Sequence, residues 1–122
     1  MKAMKSLALG LFSLSLCAQA QVTGLRVEGT AAEAVFVLYK NRGASHYFDI
    51  ANLRCQREAA GEGIRYACDI KNVRDVIATD KSVKFAGAGA ATILKLLTDG
   101  GERSKNLRCE SVDKSAECTL TF

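Results

Sequence analysis

Alternating apolar and polar positions begin each half of the chain. Leu25 and Val27 alternate with polar or small residues in the first half, and Val83 and Phe85 do so in the second. A period of two is typical of a strand with one buried face. The chain is therefore predicted to have a β-strand at the start of each half.

A longer apolar segment follows each of these strands. Residues 90–97 are rich in alanine and leucine, which favour a helix. Residues 35–39 are rich in β-branched and aromatic side chains, and taken alone they suit a strand equally well. Because the two halves are related by the repeat described next, we predict a helix in both.

The chain repeats itself at a fixed offset, which is the signature of a duplicated unit. Residues 27–39 align with residues 85–97, and nearly every apolar position stays apolar. The tetrapeptide Asn52-Leu53-Arg54-Cys55 recurs unchanged at residues 106–109, and a second cysteine follows in each half. The predicted tandem repeats span about residues 22–72 and 80–122.

The first cysteine pair fits a β-hairpin. If Cys55 faces Cys68, the strands meet at a two-residue turn, Gly61-Glu62, and glycine in first place suits a type II′ turn. The same register sets Arg54 opposite Asp69, and these residues have opposite charges. Both features favour a disulfide between Cys55 and Cys68.

The second cysteine pair gives a similar hairpin. If Cys109 faces Cys118, the turn is Asp113-Lys114. One pair in this register, Glu110 with Glu117, sets like charges opposite each other and counts against it. Four cysteines allow three connectivities, and two hairpins that close on two-residue turns favour pairing within each hairpin.

Each repeat is thus predicted to be a strand, a helix and a hairpin, or βαββ. Two such units predict an α+β fold, a two-layer sandwich in which an antiparallel sheet of about six strands carries both helices on one face. The bridging residues 71–81 are expected to add a short strand at residues 76–78. The cysteines are expected to be structural, since neither pair has the C-x-x-C spacing of a redox site.

The first twenty residues differ from the rest of the chain. They carry two lysines near the start, at positions 2 and 5, continue with an apolar run at residues 7–16, and end in an Ala-Gln-Ala tripeptide. This is the pattern of a secretory signal peptide, and the run is too short to span a bilayer, which takes about 20 apolar residues. We predict a removable signal peptide over residues 1–20, with cleavage between Ala20 and Gln21. The mature protein is then one domain, residues 21–122.

Cys17 offers an alternative, because a bacterial lipoprotein signal also ends at a cysteine. Such a signal has a small residue just before the cysteine, where this chain has Leu16, so cleavage after Ala20 is favoured over lipid attachment. Loss of Cys17 leaves four cysteines, an even number that suits two disulfides in an exported domain. We expect an exported protein, periplasmic or secreted, with no transmembrane segment in its mature part.

Charge argues against a nucleic-acid partner. The whole chain has 17 basic and 13 acidic residues, and the loss of the two leader lysines leaves a mature net charge of +2. No cluster of lysines and arginines resembles the basic footprint of nucleic-acid binding. Arg54 and Arg108 are expected on the same sheet face, either as a paired recognition surface or as solvated strand residues.

Few residues suggest catalysis or cofactor binding. His46 is the only histidine, and a hydrolase would use it as a base oriented by Asp49, with a hydroxyl nucleophile. One histidine and four paired cysteines leave no zinc set, and no calcium-loop pattern is present. The glycine-rich residues 85–91 lack the rest of a phosphate-binding motif. We predict no catalytic residues, no metal and no cofactor.

The repeats differ most between helix and hairpin, where the first half has four additional residues around residues 46–50. Insertions in repeat proteins fall in loops that often belong to the binding face. The alternative is that Phe48 and Ile50 fold back over the end of the first helix and join the core. The candidate binding residues are His46, Tyr47, Phe48 and Ile50.

The favoured function is an exported, disulfide-stabilised, non-catalytic binding module, an inhibitor or adaptor that recognises a protein or an envelope component. One alternative is a small secreted hydrolase that uses His46 and Asp49. Another is a passive structural protein of the envelope. The sequence pattern does not define an oligomeric state.

Overall fold

The structure of the protein is a computed structural model that describes residues 23–40, 46–100 and 104–122. The predicted signal peptide and its cleavage site lie outside these residues. Within them the chain forms two helices and eight strands. The helices are α1 (Thr30–Lys40) and α2 (Ala88–Gly100). The strands are β1 (Gly24–Glu28), β2 (Tyr47–Ile50), β3 (Leu53–Ala60), β4 (Gly63–Lys71), β5 (Val73–Ala78), β6 (Ser82–Gly87), β7 (Leu107–Val112) and β8 (Ser115–Thr121).

The strands form two antiparallel sheets of four, with the orders β1-β4-β3-β2 and β5-β6-β8-β7. The α+β class is confirmed, but two sheets replace the expected single sheet of about six strands. Two strands account for the difference in number. The segment expected to be a loop at residues 46–50 contributes β2, and β5 extends the short strand expected at residues 76–78.

The chain passes from the first sheet to the second at Asn72. β4 ends at Lys71 and β5 begins at Val73, so one residue separates them. Asn72 has φ +57°, in the left-handed region that asparagine tolerates better than most residues. This bend directs β5 out of the first sheet, and β5 pairs with β6 instead. A single continuous sheet is therefore not formed.

The two halves have the same strand order around their helices. β1, β4 and β3 are neighbours in the first sheet, as β6, β8 and β7 are in the second. Val27 in β1 pairs with Cys68 in β4, and Phe85 in β6 pairs with Cys118 in β8. Each half therefore contains a strand, a helix and a hairpin in one arrangement, to which the first half adds β2 and the second adds β5.

Each hairpin contains one disulfide, and the pairing is the one that the hairpin registers predict. In the first hairpin Gly61 and Glu62 connect β3 to β4, and Gly61 has φ +61°. A positive φ at the first turn position matches the twist of the paired strands. The disulfides are Cys55–Cys68 and Cys109–Cys118.

The second hairpin keeps its predicted register despite the like charges in it. Asp113 and Lys114 form the turn, and Asp113 has φ +55°. Glu110 faces Glu117 as expected. The ammonium of Lys84 in the neighbouring strand β6 lies 3.5 Å from Glu117 Oε1 and offsets part of the repulsion.

One hydrophobic core joins the helices and the sheets. α1 packs mainly on the first sheet and α2 mainly on the second, and the helices also contact each other and strands of the opposite sheet. Each sheet therefore carries one helix, whereas a single sheet with both helices was expected. The largest buried side chains include Phe36, Leu53, Ile70, Phe85 and Ile93. Neither described helix has the length and apolar character needed to cross a membrane.

Hydrogen bonds hold Asn72 from several sides. Its N–H donates to the Thr23 carbonyl at 2.6 Å, and its own carbonyl accepts from the Gly89 N–H at 3.2 Å. Its side-chain Nδ2 donates to Asn52 Oδ1 at 2.6 Å, and Asn52 Nδ2 donates to Thr92 Oγ1 at 3.4 Å. The junction thus connects the start of β1, the turn before β3 and the first turns of α2.

Gly89 leaves no room for a side chain at this junction. A Cβ atom there would lie 2.5 Å from the Lys71 carbonyl oxygen and 2.7 Å from Ile70 Cγ2. We expect Gly89→Ala to lower the free energy of unfolding by about 1–3 kcal/mol, the usual cost of overpacking. This loss should appear although alanine is the better helix former by about 1 kcal/mol. Urea unfolding of the oxidised protein measures it.

Gly100→Ala, at the other end of the same helix, is the matched control. Its Cβ would lie 3.5 Å from the Leu38 carbonyl oxygen, an ordinary contact. The free energy of unfolding should therefore stay unchanged or rise by up to about 1 kcal/mol. Equal effects of the two substitutions would contradict the close packing assigned to Gly89.

The two disulfides differ in access to solvent. Cys55, Cys68 and Cys118 are buried, whereas Cys109 is partly exposed. Because thiol exchange needs attack on an accessible sulfur, we expect Cys109–Cys118 to be reduced first under native conditions. Limited reduction, alkylation and mass spectrometry give the order. Alkylation of Cys55 and Cys68 before the second pair would show that this expectation is wrong.

Candidate binding surface

The candidate binding residues lie on and next to β2, the edge strand of the first sheet. β2 pairs with β3, so that Phe48 faces Cys55 and Ile50 faces Leu53. The structure therefore makes a strand of a segment that was expected to be a loop. Side chains of a strand alternate between its two faces, and this alternation divides the candidates between core and solvent.

Phe48 points into the core, in agreement with the second of the two interpretations. Its side chain is 4% exposed, and its ring stacks on Tyr39 with 4.4 Å between centroids. The Phe36 ring lies 5.7 Å away on the same helix as Tyr39. Ile50 is partly buried against the same core. Phe48 therefore fastens the edge strand to α1 and is not accessible to a partner.

Tyr47 lies on the opposite face of β2 and is 49% exposed. Its hydroxyl donates to Asp49 Oδ2 at 3.4 Å, and the guanidinium carbon of Arg54 lies 5.5 Å from the centre of its ring. Both contacts favour one orientation of the phenol ring, and the hydrogen bond is longer than the usual distance of about 2.5–3.0 Å for an O–H···O pair. The strand thus presents one aromatic side chain in a defined orientation, beside a carboxylate and a guanidinium.

A row of alternating charges crosses the outer face of this sheet. The pairing of neighbouring strands places Arg26 beside Asp69, Asp69 beside Arg54, and Arg54 beside Asp49. The row ends at Asp49, at the edge of the sheet. Both signs of charge are therefore available next to Tyr47.

The inner part of this row is already paired. Arg26 donates to both Asp69 oxygens, at 3.1 and 3.2 Å, and to Glu28 at 3.1 Å. The hydrogen bonds to Glu28 and then to Asp69 raise the pKa of Arg26 above its ordinary value. The expected register of Arg54 with Asp69 is correct, but Asp69 binds Arg26, and Arg54 lies over Tyr47.

His46 precedes β2 and is exposed. Its carbonyl accepts a hydrogen bond from the Arg57 N–H at 2.7 Å, which continues the ladder between β2 and β3. The Asp49 carboxylate accepts a hydrogen bond from Tyr47. Among the described residues, no hydrogen bond joins it to the His46 imidazole that the hydrolase hypothesis would pair with it.

The outer edge of β2 carries backbone groups that β3 does not use. Hydrogen-bonded pairs alternate along an antiparallel ladder, so His46, Phe48 and Ile50 direct their N–H and C=O groups toward β3. The corresponding groups of Tyr47 and Asp49 point away from it. Among the described strands none lies beyond β2. Such an edge can accept an additional strand.

Sequence reasoning missed Arg26 and Asp49 as parts of one polar surface, because their proximity depends on the order of four strands. It also paired Arg54 with Arg108, and these arginines lie on different sheets.

Other exposed apolar side chains occur singly, such as Ile77 on β5 at 60% exposure. Isolated residues of this kind are normal on protein surfaces.

Comparisons with known proteins give no match. No protein-family model matches the chain, and neither a curated protein nor a solved structure is significantly similar to it.

Truncation of two neighbouring residues of β2 should lower the stability by very different amounts. Phe48→Ala removes a buried, stacked ring, and we expect it to lower the free energy of unfolding by about 3–5 kcal/mol. Tyr47→Ala removes a half-exposed ring and should cost less than about 1 kcal/mol. Thermal unfolding of the oxidised variants compares the two. A similar loss in both would mean that Tyr47 belongs to the core.

Proposed function

We propose that the protein is a non-catalytic binding module that recognises an extended segment of a protein partner along the outer edge of β2. One observation carries the proposal. Tyr47 is half exposed and contacts Asp49 and Arg54 on an edge strand whose next residue, Phe48, is buried in the core. Among the described strands, none pairs with the outer edge of β2, so its backbone groups there can bind a strand of a partner.

The proposal places the module outside the cytoplasm. The two disulfides indicate an oxidising, exported compartment. Removal of residues 1–20 by cleavage after Ala20 would deliver the remaining domain to the periplasm or the medium. A protein or an envelope component that exposes a short extended segment is then within its reach.

Pre-organisation supports a binding role for Tyr47. Association costs less entropy when the contacting side chain is already held in its bound orientation. Tyrosine is also frequent among the residues that dominate binding energy at protein interfaces. The contacts of Tyr47 with Asp49 and Arg54 supply such restraint.

The chemistry of the edge suggests the kind of segment that binds. Strand addition uses backbone hydrogen bonds for affinity and alternate side chains for specificity. Tyr47 and Asp49 are two residues apart and share one face, so they would contact residues two apart in the added strand. An apolar residue would face Tyr47 and a basic residue would face Asp49.

The proposed site belongs to one half of the molecule. We infer that the halves arose by duplication of a βαββ unit, over about residues 22–72 and 80–122, and that β2 is an addition to the first. The recurring asparagine supports this inference. The Asn52 carbonyl accepts from the Lys71 N–H and the Asn106 carbonyl accepts from the Thr121 N–H, each at 2.9 Å.

Photo-crosslinking tests the site before the partner is known. A photoreactive phenylalanine analogue replaces Tyr47 in the full-length chain expressed in its host, and in a control it replaces Ile77. The control position is also exposed and lies on an edge strand, but of the other sheet. We expect a discrete protein adduct from position 47 and none from position 77.

Affinity measurement with the identified partner gives the second test. Tyr47→Ala should weaken binding about 30-fold or more, because interface anchors contribute about 2 kcal/mol or more. Ile77→Ala should change the Kd less than about twofold. Adducts from position 77 alone, or equal weakening by both substitutions, would contradict a site on β2.

A further inference from the structure

A row of cations and a hydroxyl crosses the outer face of the second sheet, away from β2. Lys84 in β6 and Arg108 in β7 both pair with Thr119 in β8, which lies between them. Lys84 has a carboxylate partner in Glu117, at 3.5 Å. Among the described residues, no ion pair engages Arg108. Its guanidinium is therefore free to bind an external anion.

The first sheet has a carboxylate beside the arginine that corresponds to Arg108. Arg54 occupies the position in the first Asn-Leu-Arg-Cys tetrapeptide that Arg108 occupies in the second. Its cross-strand neighbour is Asp69, a carboxylate, whereas the neighbour of Arg108 is Thr119. The second half thus has a neutral hydroxyl donor where the first has an internal anion.

A cavity of about 260 Å³ lies at this place, lined by Lys105, Arg108, Thr119 and Thr121. Two lining residues carry positive charge, two carry hydroxyl groups, and no carboxylate of the described residues lines it. Its volume is below the range of about 300–1,000 Å³ typical for drug-sized ligands. The cavity suits a small anionic group.

The recurring asparagine holds the backbone around this cavity. Thr121 donates its N–H to the Asn106 carbonyl at 2.9 Å, and Asn106 Nδ2 donates to the Thr121 carbonyl at 3.0 Å. The Asn106 N–H donates to Ser104 Oγ at 3.1 Å. The turn that carries Lys105 is therefore fastened to β8, so the backbone around the cavity needs little ordering when an anion binds.

We propose that this cavity binds a phosphate-type oxyanion. The Arg108 guanidinium can donate to two phosphate oxygens in a bidentate manner, and Lys105 adds a second positive charge. The hydroxyls of Thr119 and Thr121 donate to the remaining oxygens. The same oxygens are offered by free phosphate and by the phosphodiester of a lipid headgroup. This site is independent of the edge of β2, since it lies on the other sheet.

Titration with inorganic phosphate tests the site directly. The probe is the ¹⁵N-labelled, oxidised protein produced from the full-length gene, followed by NMR at low ionic strength with chloride as the control anion. We expect saturable shifts of the amides of residues 105, 108, 119 and 121. Added salt should weaken the binding, because exposed charges are screened.

Three substitutions distinguish phosphate binding at this cavity from nonspecific attraction of phosphate to a basic surface. Arg108→Gln and Thr119→Asp should each raise the Kd for phosphate about tenfold or more, the usual effect of losing a charge-assisted hydrogen bond. Arg54→Gln, the matched change in the first tetrapeptide, should leave the Kd within about twofold. Thr119→Asp reproduces the carboxylate of the first sheet, and thermal unfolding should show a retained fold.

Vesicle sedimentation distinguishes the two sources of phosphate. Binding to phosphatidylglycerol vesicles that Arg108→Gln abolishes supports the proposal with a lipid headgroup as ligand. Phosphate binding without vesicle binding supports it with a free ion or small phosphorylated molecule as ligand. Shifts that do not saturate, equal weakening by Arg54→Gln, or no binding in either assay would overturn the proposal. None of these outcomes depends on the partner proposed for β2.

Discussion

The hydrogen bonds around Asn72 determine how the two halves of the molecule are arranged. Asn72 has a left-handed backbone and lies between the last strand of the first sheet and the first strand of the second. Its carbonyl accepts a hydrogen bond from the Gly89 N–H in the first turn of α2. Gly87 has φ +103° and approaches the same carbonyl so closely that a Cβ would lie 2.7 Å from it. The chain leaves the first sheet and enters the second at this bend. Both helices pack in the one core that the two sheets share.

Alternation along β2 separates buried from exposed side chains within four residues. The inward side chain of Phe48 stacks on α1, and the outward side chain of Tyr47 remains at the surface. A substitution at an outward position of β2 therefore leaves the packing of the core unchanged. The same principle applies to the second sheet, where Leu120 is buried and its neighbours Thr119 and Thr121 line a surface cavity.

Local features of the fold could be predicted from the sequence, and long-range ones could not. Cys55 and Cys68 are 13 residues apart in sequence, and the turn, register and crosslink of their hairpin follow from that short segment. The chain passes from the first sheet to the second at the left-handed backbone of Asn72, which no periodicity reveals. The pairing of Arg26 with Asp69 needs the order of strands distant in sequence. The sequence does not predict which of residues 46–50 join the core, because a four-residue strand resembles a loop in composition.

The crosslinks join cysteines that follow each other along the chain, 13 and 9 residues apart. A chain that enters an oxidising compartment from its N-terminus presents Cys55 and Cys68 before the second pair emerges. If residues 1–20, with Cys17, are removed before oxidation, an oxidase that joins thiols in order of appearance makes the native bonds. Oxidative maturation of this protein can begin on each hairpin before the rest of the chain has folded.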